Sequence, residues 1–346
     1  MKAFGQGTIV PMNIVILDDY QDVVRKLDSA AKLDAYNAKV YTNTVKGLGQ
    51  LSVRLKDADI LVLIRERTHL NRQLIEKLPR LKLISQTGAA GSHIDLEACS
   101  ERGIAVAQGA GSPYAPAELT WALVMAAARR IPQYIGNLKH GAWQQSGLKS
   151  ASMPANFGLG NVLRGRTFGI WGYGKIGQLV AGYAKAFGMQ VVVWGSEASR
   201  GKAVKDGFMP ASSRDAFFEQ CDIISLHIRL NDSTRGIVKL DDLLRMKTSA
   251  MIVNTSRAEL IEPDALISAL NRGRPGLAAV DVFEHEPILQ GHALLRLENC
   301  ICTPHIGYVE KDNYELYFGA AFDNVVNFIK GTPTNIVNPG ALQVRR

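Results

Sequence analysis

The chain has 346 residues, is 47% hydrophobic and carries a formal charge of +8, from 40 Lys and Arg against 32 Asp and Glu. That is apolar material for a large core and too much chain for one typical domain, so two domains are expected. The basic residues are scattered, with no basic helix, aromatic interleaving or reading motif, so they suit a solvated, anion-steering surface and exclude a nucleic-acid partner.

Residues before Met12 carry no pattern and are set aside from the fold. The apolar stretch there breaks at Pro11 and Asn13 and meets Asp18-Asp19 without a small-residue cleavage site, so no secretory leader is expected. Apolar strands are expected at Asn13 to Leu17, Ile60 to Ile64, Leu81 to Ser85 and Ile104 to Ala107, separated by helical stretches. Gly109-Ala-Gly-Ser-Pro113 then feeds a helix from Ala117 to Arg130 with Glu118 in its first turn, a pattern suited to a domain crossing. The ten residues between Glu118 and Arg129 form the longest apolar run, about half a membrane span, so no membrane partner is expected and the protein reads as soluble and cytoplasmic.

A βαβ unit follows: strand Thr167 to Trp171, the loop Gly172-Tyr173-Gly174-Lys175-Ile176-Gly177, helix Gln178 to Phe187 and strand Gln190 to Trp194. In such a unit the first glycine makes a tight turn, the second lets backbone approach a pyrophosphate, and the third lets helix pack on strand. The helix N-terminus offers its N–H groups to the phosphates. The acidic residue that usually ends the second strand, where it accepts from ribose hydroxyls, is replaced by Gly195-Ser196. Glu197 comes two residues late, and Arg200 and Lys202 follow, so NAD and NADP both remain open.

Further strands are expected at Ile223 to His227, Met251 to Asn254, Leu277 to Asp281 and Ile301 to Thr303, with a second crossing near Gly307 and a helix from Glu315 to Ile329. The fold class is therefore α/β with two doubly wound parallel-sheet domains, one at 1–112 plus 308–346 and the other at 113–307. An internal echo, Ala58-Asp-Ile-Leu-Val-Leu63 against Cys221-Asp-Ile-Ile-Ser-Leu226, suggests that both halves share an architecture. Cys99, Cys221, Cys300 and Cys302 show no metal spacing beyond a Cys-x-Cys, so no metal is expected and the thiols read as reduced packing residues.

Three polar motifs follow successive strands: Asn254-Thr-Ser-Arg257, Asp281-Val-Phe-Glu-His-Glu-Pro287 and Thr303-Pro-His305-Ile-Gly307. Singly, Arg257 and Glu286 read as an ion pair and His305 as a strand-end histidine. Together with the glycine loop, the set resembles the D-isomer-specific 2-hydroxyacid dehydrogenase family over nearly the whole chain from Met12. The Arg-to-Glu spacing of 29 (286 minus 257) matches the family pattern and selects Glu286 over Glu284.

The resemblance implies a Rossmann NAD(P)-binding domain inserted into a flavodoxin-like substrate domain, acting on a small 2-hydroxy or 2-oxo acid. It makes His305 the general acid, Glu286 the carboxylate that orients and charges the imidazole, and Arg257 the grip on the substrate carboxylate. Asp281 is expected to accept from the nicotinamide carboxamide, with Thr255 and the His227 loop also near the cofactor. Arg65 and the Gly88-Ala89-Ala90-Gly91 loop, chiefly Ala89 and Ala90, are expected to meet the substrate carboxylate. The departures are Ala258 and Ala90 where Gly is common, Pro113 for Thr, Arg229 for Pro and Tyr308 for Gly; Arg229 is placed to meet a 2'-phosphate. Family likeness also implies a homodimer through the Ala117–Arg130 helix and the Trp143 region. The rival readings are a corepressor-like cofactor sensor, for which no long low-complexity tail is present, and a formate dehydrogenase, which would want Gln at 286. A phosphoglycerate enzyme of the short form is compatible with Arg65 and Arg67.

Overall fold

The computed structural model describes residues 12–146 and 158–345. The chain divides into two units, one made of residues up to Ser112 together with those from Lys311 onward, the other running Pro113–Glu310. Residues 308–310 thus fall with the second unit, just past the crossing expected near Gly307.

The first unit is built on strands β1 (Asn13–Ile16), β2 (Asn37–Val40), β3 (Ile60–Leu63), β4 (Leu83–Gln86) and β5 (Ala105–Gln108). All pairs are parallel, in the order β2-β1-β3-β4-β5. This is the flavodoxin-like doubly wound order. Ile60 to Leu63 are at most 1% exposed, which explains their continuous apolar run: a central parallel strand is covered on both faces. Strand β2 escaped the sequence reading because it is an edge, and Asn37, Ala38 and Lys39 are exposed. The helix Lys311–Ile329 begins one turn before its expected start and returns to this sheet, where buried Ser85 donates to the Ala321 carbonyl at 2.8 Å.

The second unit carries β6 (Thr167–Trp171), β7 (Gln190–Trp194), β8 (Met209–Pro210), β9 (Ile223–Leu226), β10 (Met251–Asn254), β11 (Leu277–Val280) and β12 (Cys300–Cys302). These seven strands are parallel in the order β12-β11-β10-β9-β6-β7-β8. Side chains alternate between two cores: Phe168, Val191, Val193 and Val253 meet the helices Tyr114–Ala128 and Lys175–Ala186, while Ile224, Leu226, Ile252 and Val280 meet Phe217, Leu243 and Leu266. Period-two alternation on a parallel sheet makes both faces apolar. The helix expected to run to Arg130 stops at Ala128, because Arg130 takes a left-handed φ of 52°.

The internal echo has a physical cause. Asp59 accepts from the N–H of Asn13, the first residue of β1, at 2.9 Å, and Asp222 accepts from that of Thr167, the first residue of β6, at 2.8 Å. In each unit an aspartate ahead of one strand holds the start of the strand beside it. Asp222 also meets Lys247 at 2.8 Å. Burial raises the Asp222 pKa, but Lys247 and the Thr167 N–H outweigh it, and the net direction is downward. A depressed folded pKa contributes stability that is present above the ordinary carboxylate range and lost as pH falls through the folded value. Asp222→Asn is therefore expected to destabilise the protein by about 1–3 kcal/mol at pH 7. In urea titrations the difference from the parent should shrink on acidification.

Candidate active site

The sequence order reverses at β6, whose neighbours are β9 and β7, and ligands of doubly wound sheets bind beyond the strand ends at such a switch point. The glycine loop sits there. Gly172 has φ +98°, and a Cβ on it would lie 2.5 Å from the His227 carbonyl oxygen, so only glycine lets the β6 and β9 exits approach. A Cβ on Gly177 would lie 2.3 Å from the Gly172 carbonyl oxygen, whereas one on Gly174 would meet nothing within 4 Å. The loop is thus tight beneath and open beside Gly174, the N-cap of the Lys175–Ala186 helix. The first-turn N–H groups of a helix have no intrahelical acceptor, so this opening suits a pyrophosphate.

The neighbouring residues divide between loop and core. Lys175 is exposed and Ile176 half-buried, but the Tyr173 side chain is buried and its hydroxyl donates to Asp206 at 3.0 Å. Only the Tyr173 backbone is left for a ligand. Beyond β7, Gly195 has φ +148° and Ser196 caps the next helix by accepting from the Ser199 N–H. The Arg200 guanidinium lies 5.0 Å from the Trp194 ring centroid. Arg229 is exposed. His227 meets the Ser225 hydroxyl at 2.9 Å, and desolvation pushes its pKa down to about 4, which keeps the ring neutral.

His305 is carried by the turn after β12. Its φ of 53° is left-handed, and Asp281 holds the turn in that shape. One Asp281 oxygen accepts from the Thr303 hydroxyl at 2.6 Å and the Ile306 N–H at 2.8 Å; the other accepts from the Gly307 N–H at 2.8 Å. Burial holds the Asp281 pKa above its ordinary value, although these donors and the His305 charge oppose it. Both oxygens acting as acceptors is the pattern of an ionised carboxylate. Asp281 is 0% exposed and is engaged with the His305 turn, a role the sequence pattern does not show.

Glu286 completes the arrangement. Its Oε1 accepts from the Phe283 N–H at 3.0 Å, and its Oε2 lies 2.7 Å from His305 Nδ1. Burial raises the Glu286 pKa, but His305, the Phe283 N–H and the Arg257 charge together bring it below the ordinary value. An ionised carboxylate only accepts, so Nδ1 bears hydrogen and Nε2 is the nitrogen that exchanges a proton. Tyr308, 7% exposed, stands edge-on to the imidazole with ring centroids 5.4 Å apart.

Arg257 follows β10 in a turn that Asn254 ties at both ends, accepting from the Ser256 N–H at 3.1 Å and donating to the Arg257 carbonyl at 2.9 Å. Asn254 has no role in the sequence pattern of the site, and its one signal there is that an Asn often closes its own turn. The Thr255 hydroxyl is paired with that of Thr120 at 2.7 Å. Arg65, Ala89 and Ala90 lie in the first unit, after β3 and β4. Arg65 has φ 51°, its N–H donates to the Thr87 hydroxyl at 2.9 Å, and its guanidinium lies 5.7 Å from the Tyr317 ring centroid. Ala89 is exposed and Ala90 half-buried. Among the described residues no His, Cys, Asp and Glu cluster could hold a metal, and no helix is long and apolar enough to cross a membrane.

A family model described as D-isomer specific 2-hydroxyacid dehydrogenase, NAD binding domain, matches residues 121–307. The chain is 34% identical to a glyoxylate reductase of Aeropyrum pernix, over 100% of this chain and 98% of that one. It is 34% identical to a D-3-phosphoglycerate dehydrogenase of Methanocaldococcus jannaschii over 94% of its own length, and spans 59% of that relative. The crystal structure of an oxidoreductase from Ralstonia solanacearum is similar at a TM-score of 0.94 with 63% identity, covering 96% of this chain and 98% of that one.

The two inner glycines should separate experimentally. Gly177→Ala forces a Cβ onto backbone and is expected to lower stability by about 1–3 kcal/mol. Gly174→Ala meets open space, so its melting temperature should stay near the parent's while its affinity for NADH, read by fluorescence titration, falls.

Proposed function

The chain belongs to the D-isomer-specific 2-hydroxyacid dehydrogenase family, and we propose that it interconverts a small D-2-hydroxy acid and its 2-oxo acid with NAD or NADP. The observation that carries this reading is the 2.7 Å pair of His305 and Glu286 on the Asp281-held turn. The matched relatives bear enzyme names, which supports catalysis over a sensing role.

The Gly172–Gly177 loop and the N-terminus of the Lys175–Ala186 helix would hold a dinucleotide, which when bound would supply the hydride for reduction of the 2-oxo carbon or accept it in reverse. His305 Nε2 gives its proton to the carbonyl oxygen as the alcohol forms, and removes it on oxidation. Glu286 fixes the plane of the imidazole and its tautomer through the Nδ1 contact. Arg257 offers a planar fork to the substrate carboxylate and polarises the adjacent carbonyl. Arg65, with the Ala89 and Ala90 backbone, is assigned to substrate, so the first unit is read as the substrate domain and the second as the dinucleotide domain. The relatives' names point to substrates of the size of glyoxylate or phosphorylated three-carbon acids. Cytoplasmic location and a homodimer belong to the proposal as well; the dimer is supported by exposed apolar side chains at Ile131, Ile135, Leu138 and Trp143.

The test is oxidation of NADH and NADPH against glyoxylate, hydroxypyruvate, pyruvate and phosphohydroxypyruvate. Turnover with at least one acid is expected; binding of reduced cofactor with silence across the panel would sink the reading. His305→Asn should cut turnover by about two to four orders of magnitude and leave cofactor affinity intact. Glu286→Gln should lower turnover by about tenfold or more, since a neutral amide no longer holds the imidazole as an ionised acceptor does.

A further inference from the structure

Strand β12 holds two thiols and lies at the edge of the seven-stranded sheet, paired among the described residues through β11. Cys300 and Cys302 are two residues apart, so their side chains leave the same face of the strand. Both pack at the margin of the core that contains Val280 and Leu294, while Ile301 faces the opposite core. Their sulfurs lie 3.7 Å apart, and both residues are partly exposed.

The other two thiols are different. Cys99 and Cys221 are 0% exposed, and burial pushes the Cys221 thiol up to about 12, so both are inert. On β12 the hydrogen bond between the pair, together with burial, raises the Cys300 thiol, while that bond brings Cys302 below its ordinary value. The asymmetry suits a reactive sulfur at Cys302 and a resolving one at Cys300.

Position adds a consequence. Thr303 follows Cys302 directly, its N–H donates to the Val280 carbonyl at 2.9 Å, and its hydroxyl is one of the donors to Asp281. A strand keeps alternate Cα atoms about 6.6 Å apart. That is near the upper end of the range of about 4.4–6.8 Å spanned by disulfides, whose sulfurs are about 2.05 Å apart. Closing the bond therefore puckers the last residues of β12 and drags the start of the His305 turn.

We propose that Cys300 and Cys302 form a reversible dithiol–disulfide modification site, oxidised by hydroperoxides, whose closure displaces the turn carrying His305. In the first step the Cys302 thiolate attacks a peroxide oxygen, an S–O bond forms, the O–O bond breaks and the leaving oxygen takes a proton. In the second, Cys300 attacks the sulfenic sulfur, the S–S bond forms, and hydroxide leaves as water with the Cys300 proton. Two electrons pass from the two thiols to the peroxide. A dithiol reductant reverses the change.

The test uses the full chain exposed to hydrogen peroxide, with free thiols then alkylated under denaturing conditions and the peptides mapped by mass. A Cys300–Cys302 bond removed by dithiothreitol is expected, with Cys99 and Cys221 alkylated. Cys300→Ser should accumulate a sulfenic acid at Cys302 that dimedone traps. Recovery of both edge thiols intact, or their conversion to sulfinate or sulfonate without a linkage, overturns the site. The bond is read by mass and stands apart from the proposed catalysis; only the effect on turnover rests on that reading. With the bond closed, turnover should fall by at least about tenfold, a scale set by small misplacements of reacting groups. It should recover with dithiothreitol, and the Cys300→Ser/Cys302→Ser variant should keep its turnover through the same exposure. A closed bond with unchanged turnover overturns the coupling to His305.

Discussion

The site depends on one buried carboxylate. Asp281 gathers a hydroxyl and two backbone N–H groups from the segment Thr303 to Gly307, and so closes a turn in which His305 takes a left-handed backbone that a non-glycine residue rarely adopts. Removing the carboxylate would leave buried donors unpaired, which costs more than a hydrogen bond returns. With the turn held, His305 meets Glu286 at 2.7 Å, and the free ring nitrogen is left for chemistry. The orientation and tautomer of the imidazole descend from that arrangement.

The second unit places its two functions at the same sheet edge by topology. The strand order reverses between β6 and β9, and the exits of those strands converge at Gly172 and His227. Continuing outward, β10 ends in the Arg257 turn, β11 ends at Asp281, and β12 leads to His305. Parallel strands deliver all their C-terminal ends to one side, so residues scattered over more than a hundred positions become neighbours of a dinucleotide-binding edge without any special connection. The same logic holds in the first unit, where Arg65 follows β3 beside the β1–β3 switch point. The aspartates that precede β3 and β9, Asp59 and Asp222, anchor the adjacent strands at the opposite end of each sheet.

Rigidity is distributed unevenly around this edge. The Arg257 turn is braced by Asn254, and the His305 turn by Asp281, Glu286 and Tyr308. Strand β12, by contrast, is an edge paired on one side and carries partly exposed thiols immediately before the proton-transfer residue. Chemistry at those thiols and catalysis at His305 share one short segment of backbone.

The sequence by itself determined the parallel architecture, since apolar runs such as Ile60 to Leu63 and Met251 to Asn254 alternate with helical stretches and are buried on both faces. It also determined the glycine loop, because steric demands at Gly172 and Gly177 admit no other residue, and the motif set of Arg257, Glu286 and His305, because each follows a strand. Edge strands β2 and β8 were illegible, being exposed and short, without an apolar run. Only the tertiary structure decided that Asp281 serves the His305 turn, that the Tyr173 ring belongs to the core and that the Thr255 hydroxyl belongs to Thr120. Those outcomes depend on which donors and acceptors meet once strands far apart in the chain are brought side by side, and a pattern of residue types does not contain that pairing.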